Sequence, residues 1–204
     1  MRKLTLSCIL AALLWFFMFS CWTVGLVNFW LMMSISAIIL IILSHSFGRE
    51  WKEDIRFSWK QVMLGIAIAA ILWGLFWVGD KVSQMMFCFA REGVDSIYDM
   101  KGETNKWIIA VALLFVIGPA EELFWRGYVQ RKLMMKMGKN WGFVVATLIY
   151  TLIHIWSFNF MLVMAALVCG MIWGGLYRLR PKWFLALIIS HAVWDACAFV
   201  VFPF

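Results

Sequence analysis

The chain has 204 residues, of which 65% are hydrophobic and only 14% charged, with a formal net charge of +7 and a mean hydropathy of +0.88. Soluble domains run at about 45–50% apolar and about 25% charged, so disorder and a secreted disulfide scaffold are excluded, and a soluble enzyme nearly so. The basic residues are spread between apolar runs and not along one soluble face, which points to membrane topology and away from a nucleic-acid partner.

Roughly 20 apolar residues cross about 30 Å of hydrocarbon. Runs of that order lie at 4–22, 26–43, 61–79, 107–125, 141–158, 160–177 and 183–202. The first follows Met1-Arg2-Lys3, as the core of a signal peptide does, but Met18-Phe19-Ser20-Cys21 is a poor processing site, and the run is read as a span. An uncharged turn at 20–28 leads to the second run, and Arg49, Lys52, Arg56 and Lys60 precede the third. The next loop mixes Lys81, Arg91, Lys101 and Lys106 with Asp80, Glu92, Asp95, Asp99 and Glu103, and its Gln84–Arg91 stretch is expected to lie in the interface. Arg126, Arg131, Lys132, Lys136 and Lys139 follow the fourth run. The turn Ser157-Phe158-Asn159 after the fifth is uncharged, and Arg178, Arg180 and Lys182 follow the sixth.

Basic blocks thus alternate with connections that are uncharged or of mixed charge, which puts the N-terminus in the cytoplasm and the C-terminus outside. The expected fold is all-α, a polytopic membrane helical bundle of about seven transmembrane helices. It reads as one membrane domain over 1–204, with variable spans over 1–106 and a catalytic core over 107–200. Trp22, Trp30, Trp51, Trp59, Trp107, Trp141 and Trp183 fall near span ends, as interfacial belts do. Five cysteines are an odd number without CxxC spacing, and are expected to be small core residues instead of a disulfide framework or zinc knuckle.

Ionisable groups at membrane depth are costly and rarely occur without a partner or a task. In Gly118-Pro119-Ala120-Glu121-Glu122-Leu123-Phe124-Trp125-Arg126, proline is expected to bend the helix and free a carbonyl just before the glutamates. Glu122 and Arg126 are four apart and can pair, whereas Glu121 points about 100° away. Tyr150 and His154 share a helix side, and His191 and Asp195 are again four apart. Taken singly, these are a juxtamembrane salt bridge, a packing histidine and a polar pair bridging helices. Carboxylate, imidazole and imidazole on three spans together point to a convergent catalytic centre. A carboxylate with an imidazole can deprotonate water, and a second imidazole can stabilise a tetrahedral oxyanion, so peptide hydrolysis within the membrane is the expected chemistry.

The pattern Glu121-Glu122-x-x-x-Arg126-Gly127, Tyr150-x-x-x-His154 and His191-x-x-x-Asp195 resembles the three-motif signature of the CAAX protease and bacteriocin-processing family, which includes the type II CAAX prenyl endopeptidases. The likeness covers about residues 107–200, and the first three spans add only hydrophobicity to it. It implies an intramembrane glutamate protease with a cavity open to the cytosol and a membrane-associated peptide or protein as substrate. By that analogy Glu121 is the general base and acts with His154 on water, His191 and Asp195 form the oxyanion site, and Glu122, Arg126 and Tyr150 support the geometry. Tyr150 stands where phenylalanine is common, and Asp195 where the prenyl endopeptidases have asparagine. An ionised aspartate cannot donate to an oxyanion, so Asp195 is either protonated or orients His191.

No cofactor is expected, with zinc on Glu121, His154 and His191 as the alternative. A non-catalytic scaffold or bacteriocin-immunity partner is the reading from another class, and a channel or proton-coupled transporter lacks the paired broken helices it needs. The compact chain is assigned to a prokaryotic plasma membrane. The oligomeric state is not legible, because Gly170-x-x-x-Gly174 packs within a bundle as readily as between two. If the drawn spans are taken literally, Glu121 falls toward the cytoplasmic side and His154 toward the outer side. The site therefore closes only if the fourth helix runs on past Arg126, through Arg131–Lys139, or the fifth begins later.

Overall fold

Apolar runs this long have no water to satisfy their amides, so each closes its hydrogen bonds within itself as a helix. The computed structural model describes residues 1–23 and 25–204 and has no strand among them. Seven helices are long and apolar enough to cross a membrane: α1 (Arg2–Phe19), α2 (Phe29–Phe47), α3 (Trp59–Met86), α5 (Lys106–Met137), α6 (Lys139–Ser157), α7 (Phe160–Leu179) and α8 (Pro181–Val201). The eighth, α4 (Ala90–Asp99), is short and amphipathic. The chain is therefore an all-α polytopic bundle, as composition and periodicity predict.

Boundaries differ from the expected ones where polar residues extend a helix. The third span runs to Met86 and carries Asp80 inside it, and the interfacial element is Ala90–Asp99 instead of Gln84–Arg91. The fourth continues to Met137, as site closure requires, and stops at Gly138, whose φ of +84° turns the chain into α6. Asn28, Ser58, Asn105 and Asn159 accept from the first free amides of α2, α3, α5 and α7.

Packing centres on α8. It lies along α3 and crosses the middle of α5, while α6 packs between α5 and α7, and α1 covers the end of α6. The approach of α5 to α8 depends on Gly118, where a Cβ would stand 2.7 Å from the Ala192 Cα. Gly170 and Gly174 are filled from within the bundle: a Cβ at the first would meet Thr147 and Tyr150 of α6, and at the second Gln130 and Phe143.

Two side-chain expectations are corrected. Only Cys169 is buried, Cys8 and Cys197 are half-buried, and Cys21 and Cys88 are exposed. Trp22, Trp59, Trp107 and Trp141 are exposed at span ends as belts require, but Trp30 is buried, its indole donating to the Met100 carbonyl at 3.1 Å.

Candidate active site

Proline at 119 has no amide to give the Phe115 carbonyl, and the helix answers by widening. The turn Leu113–Ile117 is π-helical, with the Gly118 amide reaching back to the Leu113 carbonyl, and a second π-helical stretch follows at Leu123–Gln130. Such insertions concentrate at functional sites. Here they bracket Gly118–Glu122 and carry the two glutamates. The sequence pointed to the disturbance through Pro119 but not to its π form.

Glu122 is fully buried and faces the protein. Its Oε1 lies 2.9 Å from Arg126 and 2.9 Å from the His191 Nδ1. The Arg126 guanidinium is covered by two rings, with centroids 4.6 Å away at Tyr150 and 5.6 Å away at Trp173. Trp173 in turn stacks on His191 at 3.9 Å. A buried cation is tolerable only with a counter-ion and polarisable cover, and this one has both. The predicted Glu122–Arg126 pair is thus present as the centre of a dry strut between α5, α6, α7 and α8.

Glu121 turns the other way. It takes part in no ion pair among the described residues, accepts from the Tyr150 hydroxyl at 3.3 Å, and lines a cavity of about 620 Å³. Tyr150, His154, His191 and Asp195 line the same cavity, so the three sequence clusters do converge. The volume is within the usual range for a ligand site. The walls are chiefly Phe, Met, Leu and Trp side chains, and among the described residues no Lys or Arg lines them.

His154 lies in the tightened last turn of α6 (Ile153–Ser157). Its Nδ1 is 2.8 Å from the Tyr150 carbonyl and its Nε2 is 3.1 Å from the Trp15 indole nitrogen. A carbonyl only accepts and an indole N–H only donates, so Nδ1 carries the proton and Nε2 the lone pair. That lone pair is occupied by Trp15 of α1, a residue sequence reasoning missed because an isolated tryptophan in an apolar run carries no signal. His191 is held from both sides, by Glu122 at Nδ1 and by Asp195, whose Oδ2 stands 3.4 Å from Nε2.

The first three spans do more than supply hydrophobicity. Trp30, Phe76 and Asp80 line the cavity, and Asp80, which the sequence placed in a loop, is a buried helix residue whose Oδ2 accepts from Gln84 at 2.7 Å. Trp194, beside Asp195, also lines the cavity with its indole N–H unpartnered. Both nitrogens of His154 and of His191 have partners within the protein. Among the described residues no cluster of three or more His, Cys, Asp or Glu side chains is arranged to hold a metal ion.

The cavity is lined from one end of the bundle. Phe19, Phe29, Met86, Tyr98, Phe160 and Phe204 belong to the end opposite the basic blocks. The resemblance implies a cytosol-open cavity and the basic blocks imply a cytosolic basic face, and this geometry does not satisfy both.

Residues 103–197 match the family model described as type II CAAX prenyl endopeptidase Rce1-like. The matched stretch contains all three motifs, which bears out the resemblance read from them and makes this part of the chain similar to a family of proteases. No curated protein and no solved structure matches the chain.

Proposed function

We propose that the chain is a metal-independent glutamic endopeptidase of a prokaryotic plasma membrane, N-terminus cytoplasmic, cleaving a peptide bond in a membrane-associated peptide or protein. The observation that carries this reading is the divergence of two adjacent carboxylates: Glu122 is locked to Arg126 and His191, while Glu121 is left without a cation on the wall of the cavity shared with His154, His191 and Asp195. A carboxylate kept free of a cation is available as a base, and a cavity with chiefly apolar walls strengthens every charge that develops in it.

In the proposed reaction Glu121 takes a proton from a water as its oxygen attacks the scissile carbonyl, with Tyr150 orienting the carboxylate through the 3.3 Å hydrogen bond. His154 joins on the same water once Trp15 releases its Nε2. The tetrahedral oxyanion accepts from the His191 Nε2–H, for which the 3.4 Å bond to Asp195 is long enough to be exchanged. Asp195 thereby orients His191 and does not donate. Collapse of the intermediate breaks the C–N bond, and the proton held by Glu121 passes to the leaving amine. Glu122 and Arg126 fix the imidazole from behind.

The test is a comparison of membrane and secreted peptides from cells carrying the wild-type chain or Glu121→Gln at matched expression, with and without chelator. Cleavage products dependent on Glu121 and indifferent to chelator are expected. Products lost with chelator transfer the reading to zinc, and identical peptide sets transfer it to a non-catalytic partner.

A further inference from the structure

The two ends of the bundle are built differently. At the basic end, Arg131 pairs with Asp54 and Glu53, Lys132 with Glu50, and the Tyr177 hydroxyl donates to the Asp54 Oδ2 at 3.1 Å. Behind this layer Phe124, Trp125, Tyr128, Tyr177 and Phe184 are buried almost completely. The strap Arg49–Glu53 is pressed onto α5 at Gly127, where a Cβ would come within 2.9 Å of Trp51 and Phe184. Among the described residues, none of the strap Arg49–Glu53 and none of the Arg131–Met137 end of α5 lines the cavity.

At the other end the lining continues outward to Ser83, Met86 and Phe87 at the end of α3, and to Phe160 and Met161 at the start of α7. The amphipathic α4 lies over it, with Val94, Ile97 and Tyr98 on the cavity side. It is tied down by hydrogen bonds from Asn159 to the Gly93 carbonyl at 2.7 Å and from the Tyr98 hydroxyl to the Ala198 carbonyl at 3.1 Å. The connections at this end carry Lys81, Arg91, Lys101 and Lys106 against Glu92, Asp95, Asp99 and Glu103, whereas the opposite end collects Arg49, Lys52, Arg56, Arg131, Lys132, Lys136, Lys139, Arg178, Arg180 and Lys182. A bias of this size in short loops orients the chain with the basic end in the cytoplasm.

We propose that the site is served from the extracytoplasmic side: its substrates are exported peptides, or segments of membrane proteins exposed beyond the membrane, admitted beside α4, and cytosolic chain ends do not reach Glu121. The substrate class rests on the protease reading above, but the direction of access does not.

The experiment uses the affinity-tagged full chain in intact cells and a membrane-impermeant maleimide, read by mass after purification. The probes are native Cys88, exposed at the rim, and, with Cys21 and Cys88 changed to Ser, Ser83→Cys on the cavity wall or Lys136→Cys at the basic end. Cys88 and Ser83→Cys are expected to react in intact cells, and Lys136→Cys only after permeabilisation. The reverse pattern overturns the proposal, as does a Ser83→Cys that stays unmodified while Cys88 reacts. Labelling needs no turnover, so it stands or falls separately from proteolysis. Where Glu121-dependent cleavage is found, its sites are expected in extracytoplasmic segments, and sites in cytosolic segments overturn the proposal even if labelling agrees.

Discussion

Glu121 and Glu122 are neighbours in the chain, yet they occupy different solvents. One face of α5 looks into protein, where Glu122, Arg126, Trp173 and His191 form a dry strut with every strong charge matched. The other face looks into the cavity, where Glu121 accepts from the Tyr150 hydroxyl and has no ion-pair partner among the described residues. The difference separates holding from reacting. A matched buried charge can be rigid but not reactive, and an unmatched one can react only if its neighbours are held by something else.

The largest effect is expected from removing the cation of the dry face. Arg126→Ala leaves Glu122 charged and uncompensated, at a cost of about 3–5 kcal/mol, so thermal melting in detergent should fall steeply and activity with it. A melting curve equal to wild type would break the comparison at its root. On the cavity face Glu121→Gln should do the opposite, with cleavage falling by about 10²–10⁴-fold while the melting curve stays in place. Gly118→Ala probes the joint between the faces, because its methyl meets the Ala192 backbone. About 1–3 kcal/mol of overpacking is expected, together with lost activity as Glu122 and His191 are pushed apart.

Trp15→Phe sharpens the picture at His154. It keeps a ring but removes the indole donor, which should cost roughly 0.5–1.5 kcal/mol of stability and raise turnover by freeing Nε2. Turnover that falls at unchanged stability would instead make the indole bond a working part of the site.

The smallest effect belongs to the basic end. The hydrogen bond from the Lys132 ammonium holds the Glu50 carboxyl below the usual carboxylate range. Its contribution is therefore full above the unfolded value of about 4.3 and is lost as pH falls through the lower folded value. At this half-buried surface site Glu50→Gln should cost about 1 kcal/mol, and its difference from wild type should vanish in acid, as melting at pH 7 and pH 3 will read.

Much of this was legible without coordinates. Seven spans followed from hydropathy and span length, and three polar clusters at membrane depth followed from the cost of placing charge there. The i, i+4 spacing of Glu122 and Arg126 predicted their pair, and the mismatch in depth between Glu121 and His154 left two ways to close the site, of which a fourth helix running on to Met137 is the one present. Less legible was anything that depends on which apolar residue meets which. Trp15, Trp30, Asp80, Trp173 and Trp194 shape the site, yet a tryptophan in a hydrophobic run looks alike whether it faces lipid, core or imidazole.

The sequence by itself determined the class of molecule, the number of crossings and the set of groups with chemistry to offer, because each depends on local composition and on helical periodicity. Tertiary packing alone decided which glutamate is matched and which is free, which histidine nitrogens are occupied, and at which end the cavity opens. Those outcomes depend on contacts between helices far apart in the chain, where a glycine at 118 or an indole at 15 sets the local partner, and no spacing along one helix records what the next will bring against it.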